Sequence, residues 1–467
     1  MKKFYTLMLM AALAFGVTGA AFAETQNVKV SGSLDAYAFY RDNFDLRSGN
    51  DTGSVFPSST VIPDPHTASA TQRSDADSYF MSITQVQISA DLTDKVSTVI
   101  NIINQRDWNA DNGSSNTAAE FDMDLDLAYV QMKEIFYTPL TLTIGRQDLL
   151  FGRGFIVGWN PQDPNSTIQA DEFTQVQSFD ALRATLDFNP WTIDLVYSKI
   201  RENGDNPEND RDLYIANVNY KFAEYNAVAE GYYVGEFDSS TLVVGTGPTK
   251  DNDTQTVGGR VQFDPISQIT LGGELAYQFG TYRGAVANSA RDRHAWGGDT
   301  FGEYRWDNTW KPTLGLEYVY LSGEGDLSST TSDYGSWNGS FRGPIYGWIH
   351  DYLEVYYQTV TTSDQAAGQN QQHINIYGSL LPMTDLKLTG SYYYFWATED
   401  YHTVPTSPSS ALLSDSLGHE IDLAAIYSYT EDVTFTIMAD WFVPGDFYNS
   451  PNDETATQVV TEVKVTF

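Results

Sequence analysis

The chain contains no cysteine and few basic residues, and it has no long apolar run beyond its first 23 residues. Without cysteine no disulfide framework can form, which suits a chain that crosses an oxidising compartment unfolded. A transmembrane helix needs about 18 or more apolar residues in succession, so the later sequence predicts none. The 26 Lys and Arg residues stand against 61 Asp and Glu residues, and the formal net charge of -35 argues against nucleic acid as a partner.

The composition nevertheless favours a folded protein. Hydrophobic residues make up 41% of the chain and aromatic residues 14%, which is too much for an intrinsically disordered chain. The mean hydropathy of -0.34 resembles that of a soluble protein. It does not exclude a membrane β-barrel, because only every second residue of such a strand faces lipid.

The N-terminus has the organisation of a secretory signal peptide. Lys2 and Lys3 precede a mostly apolar stretch at residues 4–17, and Ala21-Phe22-Ala23 forms a small-x-small cleavage pattern. This arrangement predicts a signal peptide at residues 1–23 and an exported mature protein at residues 24–467. An N-terminal anchor helix is the alternative, although the apolar stretch is short for a membrane span.

The rest of the chain alternates between polar and apolar residues, as β-strands with two different faces do. Residues 181–188 and the C-terminal stretch that ends at Phe467 show the pattern. Short connections alternate with long polar ones rich in Asp, Asn, Gly and Ser. The sequence therefore predicts an all-β fold, a transmembrane antiparallel β-barrel of about 18 strands with short periplasmic turns and long extracellular loops. Phe467 would be the aromatic end of the closing strand.

Two long connections are of special interest. Residues 149–176 begin just after Arg146, contain Arg153 and Trp159, and are long enough to fold into a pore, so we predict that they form a constriction loop. Residues 345–362 are rich in aromatic residues. Their sequence leaves a strand extension, a short helix and a folded-in plug loop open.

Three segments resemble the alginate-export family of outer-membrane porins. They are residues 144–152 continuing through Trp159 to residues 179–183, residues 310–318 with 322–324, and residues 417–423 with 442–446. The resemblance implies an 18-stranded barrel that passes a polyanionic polysaccharide through an arginine-lined lumen. It implies a protein of the outer membrane of a Gram-negative bacterium, in contact with lipid and lipopolysaccharide.

The charges on the inward strand faces allow a second transport function. Inward carboxylates outnumber inward basic residues in the sequence pattern, and an acidic bore repels polyuronates. A cation-preferring general porin is therefore the alternative. The predicted pore-lining residues are Arg146, Asp148, Arg153, Trp159, Asp180, Arg183, Arg260, Glu274, Glu303, Arg305, Glu420 and Asp422. Arg146 shares the parity of Ile144 and reaches the pore only if Gly145 forms a bulge. The alternative for Arg146 and Arg183 is that they pair with Asp148, Asp180 or Asp187 and brace the wall.

A barrel hydrolase is the alternative from another class of protein. Among the six histidines, only His419 stands beside carboxylates at a strand end, Glu420 and Asp422, and no Gly-x-Ser-x-Gly elbow occurs. We therefore expect no enzymatic activity and no cofactor. We also expect no metal site, because the acidic runs of the loops lack the spacing of a calcium loop. The expected partners are lipid, lipopolysaccharide and a polysaccharide or small hydrophilic solute. Periplasmic export partners and the oligomeric state stay open.

Overall fold

A computed structural model describes residues 27–44, 46, 76–108, 123–160, 168, 170–202, 210–239, 252–283, 290–325, 332–361, 369–400, 414–448 and 453–467. The predicted signal peptide at residues 1–23 lies outside the described residues. Within them the chain forms 18 strands: β1 (Asn27–Asp42), β2 (Ala76–Thr93), β3 (Val96–Asp107), β4 (Asp124–Met132), β5 (Leu140–Gln147), β6 (Phe179–Asp187), β7 (Trp191–Arg201), β8 (Arg211–Lys221), β9 (Val228–Asp238), β10 (Asn252–Ile266), β11 (Ile269–Arg283), β12 (Ala290–Arg305), β13 (Thr313–Leu321), β14 (Gln371–Met383), β15 (Leu386–Ala397), β16 (Ser416–Ser428), β17 (Val433–Pro444) and β18 (Ala456–Thr466).

The strands form one closed sheet. Each strand pairs antiparallel with its neighbours in sequence, and β1 pairs with β18 as well as with β2. At the closing seam, the Gly32 N–H donates to the Phe467 carbonyl at 2.9 Å and the Phe467 N–H donates to the Gly32 carbonyl at 3.1 Å. Closure removes the free strand edges that a bilayer would leave without hydrogen bonds. The predicted antiparallel barrel of about 18 strands is confirmed.

Short and long connections lie at opposite ends of the barrel. Residues 94–95, 267–268 and 384–385 join neighbouring strands by tight turns, whereas residues 148–178 and 322–370 are long. We call these two long connections loop 3 and loop 7. This asymmetry is the one expected of short periplasmic turns and long extracellular loops.

Side chains alternate between the two faces of the sheet. On β11, Leu271 and Leu275 are exposed on the outside, whereas Glu274 and Gln278 are buried on the inside. The period of two brings apolar side chains to the lipid and polar side chains to the interior. This is why a chain of low mean hydropathy can span a membrane.

The structure settles the open assignment of residues 345–362. Helix α1 covers Trp348–Thr361, inside loop 7. Short 3-10 turns cover Ile135–Tyr137 and Asp171–Phe173. No helix within the described residues is long and apolar enough to cross a membrane. The main hydrophobic cluster lies inside the barrel, where Ile349 and Leu353 of α1 pack with inward residues such as Phe395 and Phe442.

Candidate functional site

Loop 3 contacts the inner face of the barrel through its described residues. Its Arg153 contacts Asp299 of β12 at 2.8 Å and Glu317 of β13 at 2.7 Å. Its Gln175 side chain donates to Asp35 of β1 at 3.1 Å. Because β1 and β12 to β13 stand well apart around the ring, the described residues of loop 3 contact inward residues on widely separated parts of the barrel wall.

Further contacts hold loop 3 in place. Glu172 pairs with Arg41 of β1, and the Trp159 indole N–H donates to the Val176 carbonyl at 3.3 Å. Burial acts to lower the pKa of Arg153, but the carboxylates of Glu317 and Asp299 outweigh it, so this pKa lies above its usual value. Arg153 therefore stays charged while it fastens the loop to the wall.

Loop 7 also enters the interior, and a carboxylate of the barrel wall binds the N-terminus of its helix α1. The Glu420 carboxylate of β16 accepts hydrogen bonds from the backbone N–H groups of Ile349 and His350, both at 2.8 Å. The first N–H groups of a helix lack intrahelical partners and carry partial positive charge, so a carboxylate is favourable there. Within the loop, Arg342 pairs with Asp351 at 3.2 Å and with Glu354 at 3.5 Å. Burial raises the pKa of Asp351, although the Arg342 guanidinium acts in the opposite direction.

The two loops meet through their backbones. The Gly158 N–H donates to the Phe341 carbonyl and the Gly343 N–H to the Gly154 carbonyl, each at 2.9 Å. A Cβ on Gly158 would lie 3.0 Å from the Cα atoms of both Gly154 and Gly343. Only glycine lets the chains approach so closely here, so this contact ties loop 3 to loop 7 inside the barrel.

The structure places most of the predicted pore-lining residues on the interior. Arg183 pairs with Asp194 at 2.8 Å, Arg260 with Glu230 at 3.0 Å, and Arg305 with Glu303 at 3.0 Å. Glu274 accepts a hydrogen bond from the Tyr232 hydroxyl at 2.6 Å. The inward arginines and carboxylates therefore form local pairs and do not separate into a basic wall and an acidic wall.

Arg146 and Asp180 lie on the outer face instead. Arg146 stands opposite Ala128 on one side and Asp180 on the other, and no register shift interrupts either ladder. Gly145 has a φ of 125°, but it does not turn the following side chain inward. Arg146 therefore keeps the outward parity of Ile144, 3.6 Å from the exposed carboxylate of Asp180. Asp148 follows β5 at the start of loop 3.

Glu420 and Asp422 are inward, but they meet loop 7 and not the open lumen. Glu420 is fully buried and binds the start of α1. The sequence identified both as inward carboxylates, and it contained no sign of this partner. It also missed Arg41, whose guanidinium lies 5.2 Å from the centre of the Tyr352 ring of α1. The alternation of Asp35, Tyr37, Phe39 and Arg41 on β1 was the available signal.

In several inward ion pairs, the basic side chain is the more exposed partner. The side chain of Arg183 is 28% exposed and that of Asp194 is 6% exposed. Arg153 is 31% exposed, against 5% for Asp299 and 9% for Glu317. Lys464 is 38% exposed and its partner Asp35 is 0% exposed. Arg260 and Glu230 are about equally buried. At the pairs of Arg183, Arg153 and Lys464 the carboxylate is the more covered partner, so the accessible charge there is positive.

The closed barrel, its apolar outer face and its charged interior define an outer-membrane channel. The sequence profile of the family described as Alginate export matches residues 66–462 of the chain. The protein belongs to the alginate-export family.

Solved structures share the fold at low sequence identity. OpdK of Pseudomonas aeruginosa, solved with vanillate, is 11% identical and has a TM-score of 0.52; the match covers 95% of this chain and 100% of that chain. OccK2 (OpdF) of Pseudomonas aeruginosa, solved in complex with glucuronate, is 11% identical and has a TM-score of 0.51; the match covers 95% of this chain and 99% of that chain. No curated protein matches the chain.

Proposed function

We propose that this channel passes an anionic polysaccharide or oligosaccharide across the outer membrane without a covalent step. The observation that carries the proposal is the exposure of the basic partner in the inward ion pairs of Arg153, Arg183 and Lys464. A solute in the lumen meets guanidinium and ammonium groups first, although the whole chain is strongly acidic. Carboxylate recognition by arginine is favourable because the planar guanidinium can donate two parallel hydrogen bonds.

Burial of the inward carboxylates weakens the case for a cation-preferring porin. Asp35, Glu420 and Asp440 are at most 1% exposed. A charge that is covered by a basic group or by loop 7 contributes less to the local potential than its number in the sequence suggests. Outer-loop charges are screened beyond about 8–10 Å in physiological salt, so the inward groups dominate selectivity.

The hydrolase alternative receives no support from His419. Adjacent residues of a strand point to opposite faces, and His419 lies on the outer face with its Nδ1 atom 2.6 Å from the Tyr392 hydroxyl. Glu420 faces the interior and binds α1. His419 and Glu420 are adjacent in sequence, but their side chains lie on opposite faces of the barrel wall.

We propose further roles for the predicted segments. Residues 1–23 act as the signal peptide of a Gram-negative protein, and residues 149–176 act as the constriction, with Arg153, Arg183, Arg260 and Arg305 lining the route. The fold is compatible with an anionic solute, since OccK2 of Pseudomonas aeruginosa is described in complex with glucuronate. That similarity concerns the fold alone.

Planar-bilayer recordings test the proposed solute. The reversal potential in a KCl gradient should indicate anion preference, and oligouronates should block the current at concentrations where neutral oligosaccharides of the same length do not. A native channel that prefers cations and is indifferent to oligouronates would favour the general porin.

A further inference from the structure

Arg41, on the inward face of β1, is a charged residue that the proposed solute route does not use. It is only 6% exposed, so it does not meet a passing solute as the more exposed Arg183 does. Burial of a charge is costly unless the charge is paired and hydrogen-bonded. The contacts that cover this guanidinium therefore indicate the role of the residue.

One side of the guanidinium is fixed at the seam where the barrel closes. Arg41 stands opposite Gln458 of β18 in the register, and its Nε–H donates to the Gln458 Oε1 atom at 2.8 Å. The Gln458 amide in turn donates to the Asp440 carboxylate of β17 at 3.0 Å. Three neighbouring strands, β17, β18 and β1, thus orient the arginine side chain.

The other side of the guanidinium contacts loop 3. Its Nη2 group donates to Glu172, which lies in the short 3-10 turn Asp171–Phe173. The Glu172 side chain is 7% exposed, and the ring of the next residue, Phe173, stands edge-on to the Phe39 ring of β1 with 5.1 Å between the ring centres. A carboxylate so deeply buried needs a cationic partner, so Arg41 holds this end of loop 3 at β1.

Aromatic rings surround the same guanidinium, and one of them belongs to α1 of loop 7. The Arg41 Cζ atom lies 5.2 Å from the centre of the Tyr352 ring and 4.6 Å from the centre of the Phe44 ring, which follows β1. These two rings meet edge to face, with 5.1 Å between their centres. A guanidinium within about 6 Å of an aromatic ring is attracted to it, most strongly where water is excluded. The residue that binds loop 3 therefore also contacts the helix of loop 7.

We propose that Arg41 is a positioning residue that sets loop 3 and α1 against the closing seam, so that closure of the barrel and the shape of the lumen are coupled. The planar guanidinium suits this role because its Nε and Nη2 groups reach different partners while the rings pack around it. The ammonium group of a lysine is a point charge and does not reproduce this geometry. The inference rests on the proposed channel function for its meaning, but the positions of the loops can be measured without current.

Thiol labelling of the full chain in bilayers measures the position of each loop. The chain has no cysteine, so Ala170→Cys provides a single thiol on loop 3 and Ile349→Cys a single thiol on α1, both at positions that are 0% exposed. Arg41→Gln should accelerate maleimide labelling of Ala170→Cys about 10- to 150-fold, the factor for one hydrogen bond to a charged group. It should accelerate labelling of Ile349→Cys about 2- to 30-fold, the factor for one cation–π contact. Arg41→Lys should restore neither rate fully.

A double-mutant cycle separates the two loops. Glu172→Gln should accelerate labelling of Ala170→Cys and leave Ile349→Cys unchanged, because Glu172 belongs to loop 3 alone. Adding Glu172→Gln to Arg41→Gln should accelerate Ala170→Cys little further, since both changes remove the same contact. Tyr352→Leu should affect Ile349→Cys more than Ala170→Cys. An arginine that only stabilised the barrel would lower the yield on heat-modifiable gels without this pattern in the assembled protein.

Arg146→Gln is the matched control, since this arginine lies on the outer face beside Asp180. It should leave both labelling rates and the single-channel conductance unchanged, whereas Arg41→Gln should change the conductance. Faster labelling of Arg41→Gln in a protein that carries no current would support the positioning role and refute the channel. Native current with unchanged labelling in Arg41→Gln, or full restoration of both rates by Arg41→Lys, would overturn the positioning role.

If the Arg41 variants do not assemble, Glu172→Gln and Tyr352→Leu decide the question, because they leave the contact of Arg41 with Gln458 in place. Native labelling rates in both of these variants would then overturn the positioning role.

Discussion

Replacing Arg183 by Gln should reverse the charge preference of the lumen at that point. The guanidinium Nε lies 2.8 Å from the Asp194 carboxylate, and the arginine is the more exposed partner. Arg183 also lies 5.3 Å from the centre of the Phe151 ring of loop 3, so the pair adjoins the proposed constriction. Removing the cation uncovers a carboxylate that is 6% exposed.

The size of the effect follows from Coulomb's law. A monovalent anion about 4 Å from the guanidinium and about 7 Å from the carboxylate gains about 0.4 kcal/mol in water and about 1.8 kcal/mol at an effective dielectric constant of about 20. Without the guanidinium, the same anion meets a repulsion of about 0.6 to 2.4 kcal/mol. The free energy of the anion at this point therefore rises by about 1 to 4 kcal/mol, which lowers its local concentration at least about fivefold.

Reversal potentials in a KCl gradient measure the change. Arg183→Gln should shift the potential toward cation preference, and Arg183→Gln with Asp194→Asn should shift it less, because the pair then carries no charge. Arg146→Gln is the matched control, since Arg146 lies on the outer face beside Asp180. Heat-modifiable mobility on gels should establish that each variant assembles.

Two results would refute this reasoning. A shift in Arg146→Gln as large as that in Arg183→Gln would mean that the charge acts from outside the lumen or that the register is wrong. No shift in Arg183→Gln at about 0.1 M salt, where charges act over about 10 Å, would mean that solutes do not pass this pair.

Three further predictions concern assembly and the loops. Leu275→Arg, near the middle of β11 on the lipid face, should destabilise the barrel in bilayers by about 2–4 kcal/mol. Urea titration measures this free energy of unfolding, and equal stability of Leu275→Arg and Leu275→Phe would contradict the outward placement. Phe467→Asp should reduce the yield of assembled barrel on heat-modifiable gels, because the Phe467 ring packs over Gly32 at the seam, where a Cβ on Gly32 would lie 2.7 Å from the ring. A normal yield would show that this aromatic end is dispensable. Gly158→Val should separate loop 3 from Gly343, because even a Cβ on Gly158 would lie 3.0 Å from the Gly343 Cα. The single-channel conductance should then change while the barrel still assembles. Gly231→Ala is the control, since that position has open space around it, and it should leave the conductance unchanged.

Strand parity was readable from the sequence because the side chains of a strand alternate with a period of two. It predicted the barrel, the outward row of Leu271 and Leu275, and the inward position of Arg183 and Glu274. The same rule also flagged Arg146, whose parity was outward unless Gly145 formed a bulge. Only the pairing of β5 with β4 and β6 decided that no bulge reverses this side chain.

Parity indicates which face a residue is on but not what it meets there. Glu420 was an inward carboxylate in the sequence, and its partner α1 lies about 70 residues earlier in the chain. Its inward position counted toward an acidic bore, whereas the fold uses its charge to hold a helix.

The accessible sign of the lumen charge was likewise decided by tertiary structure. Composition counts Arg183 and Asp194, or Arg153 and Glu317, as charges that cancel. In both pairs the fold covers the carboxylate more completely than the arginine. A local potential depends on distance and exposure, which a sequence does not contain until the loops and strands are brought together in space.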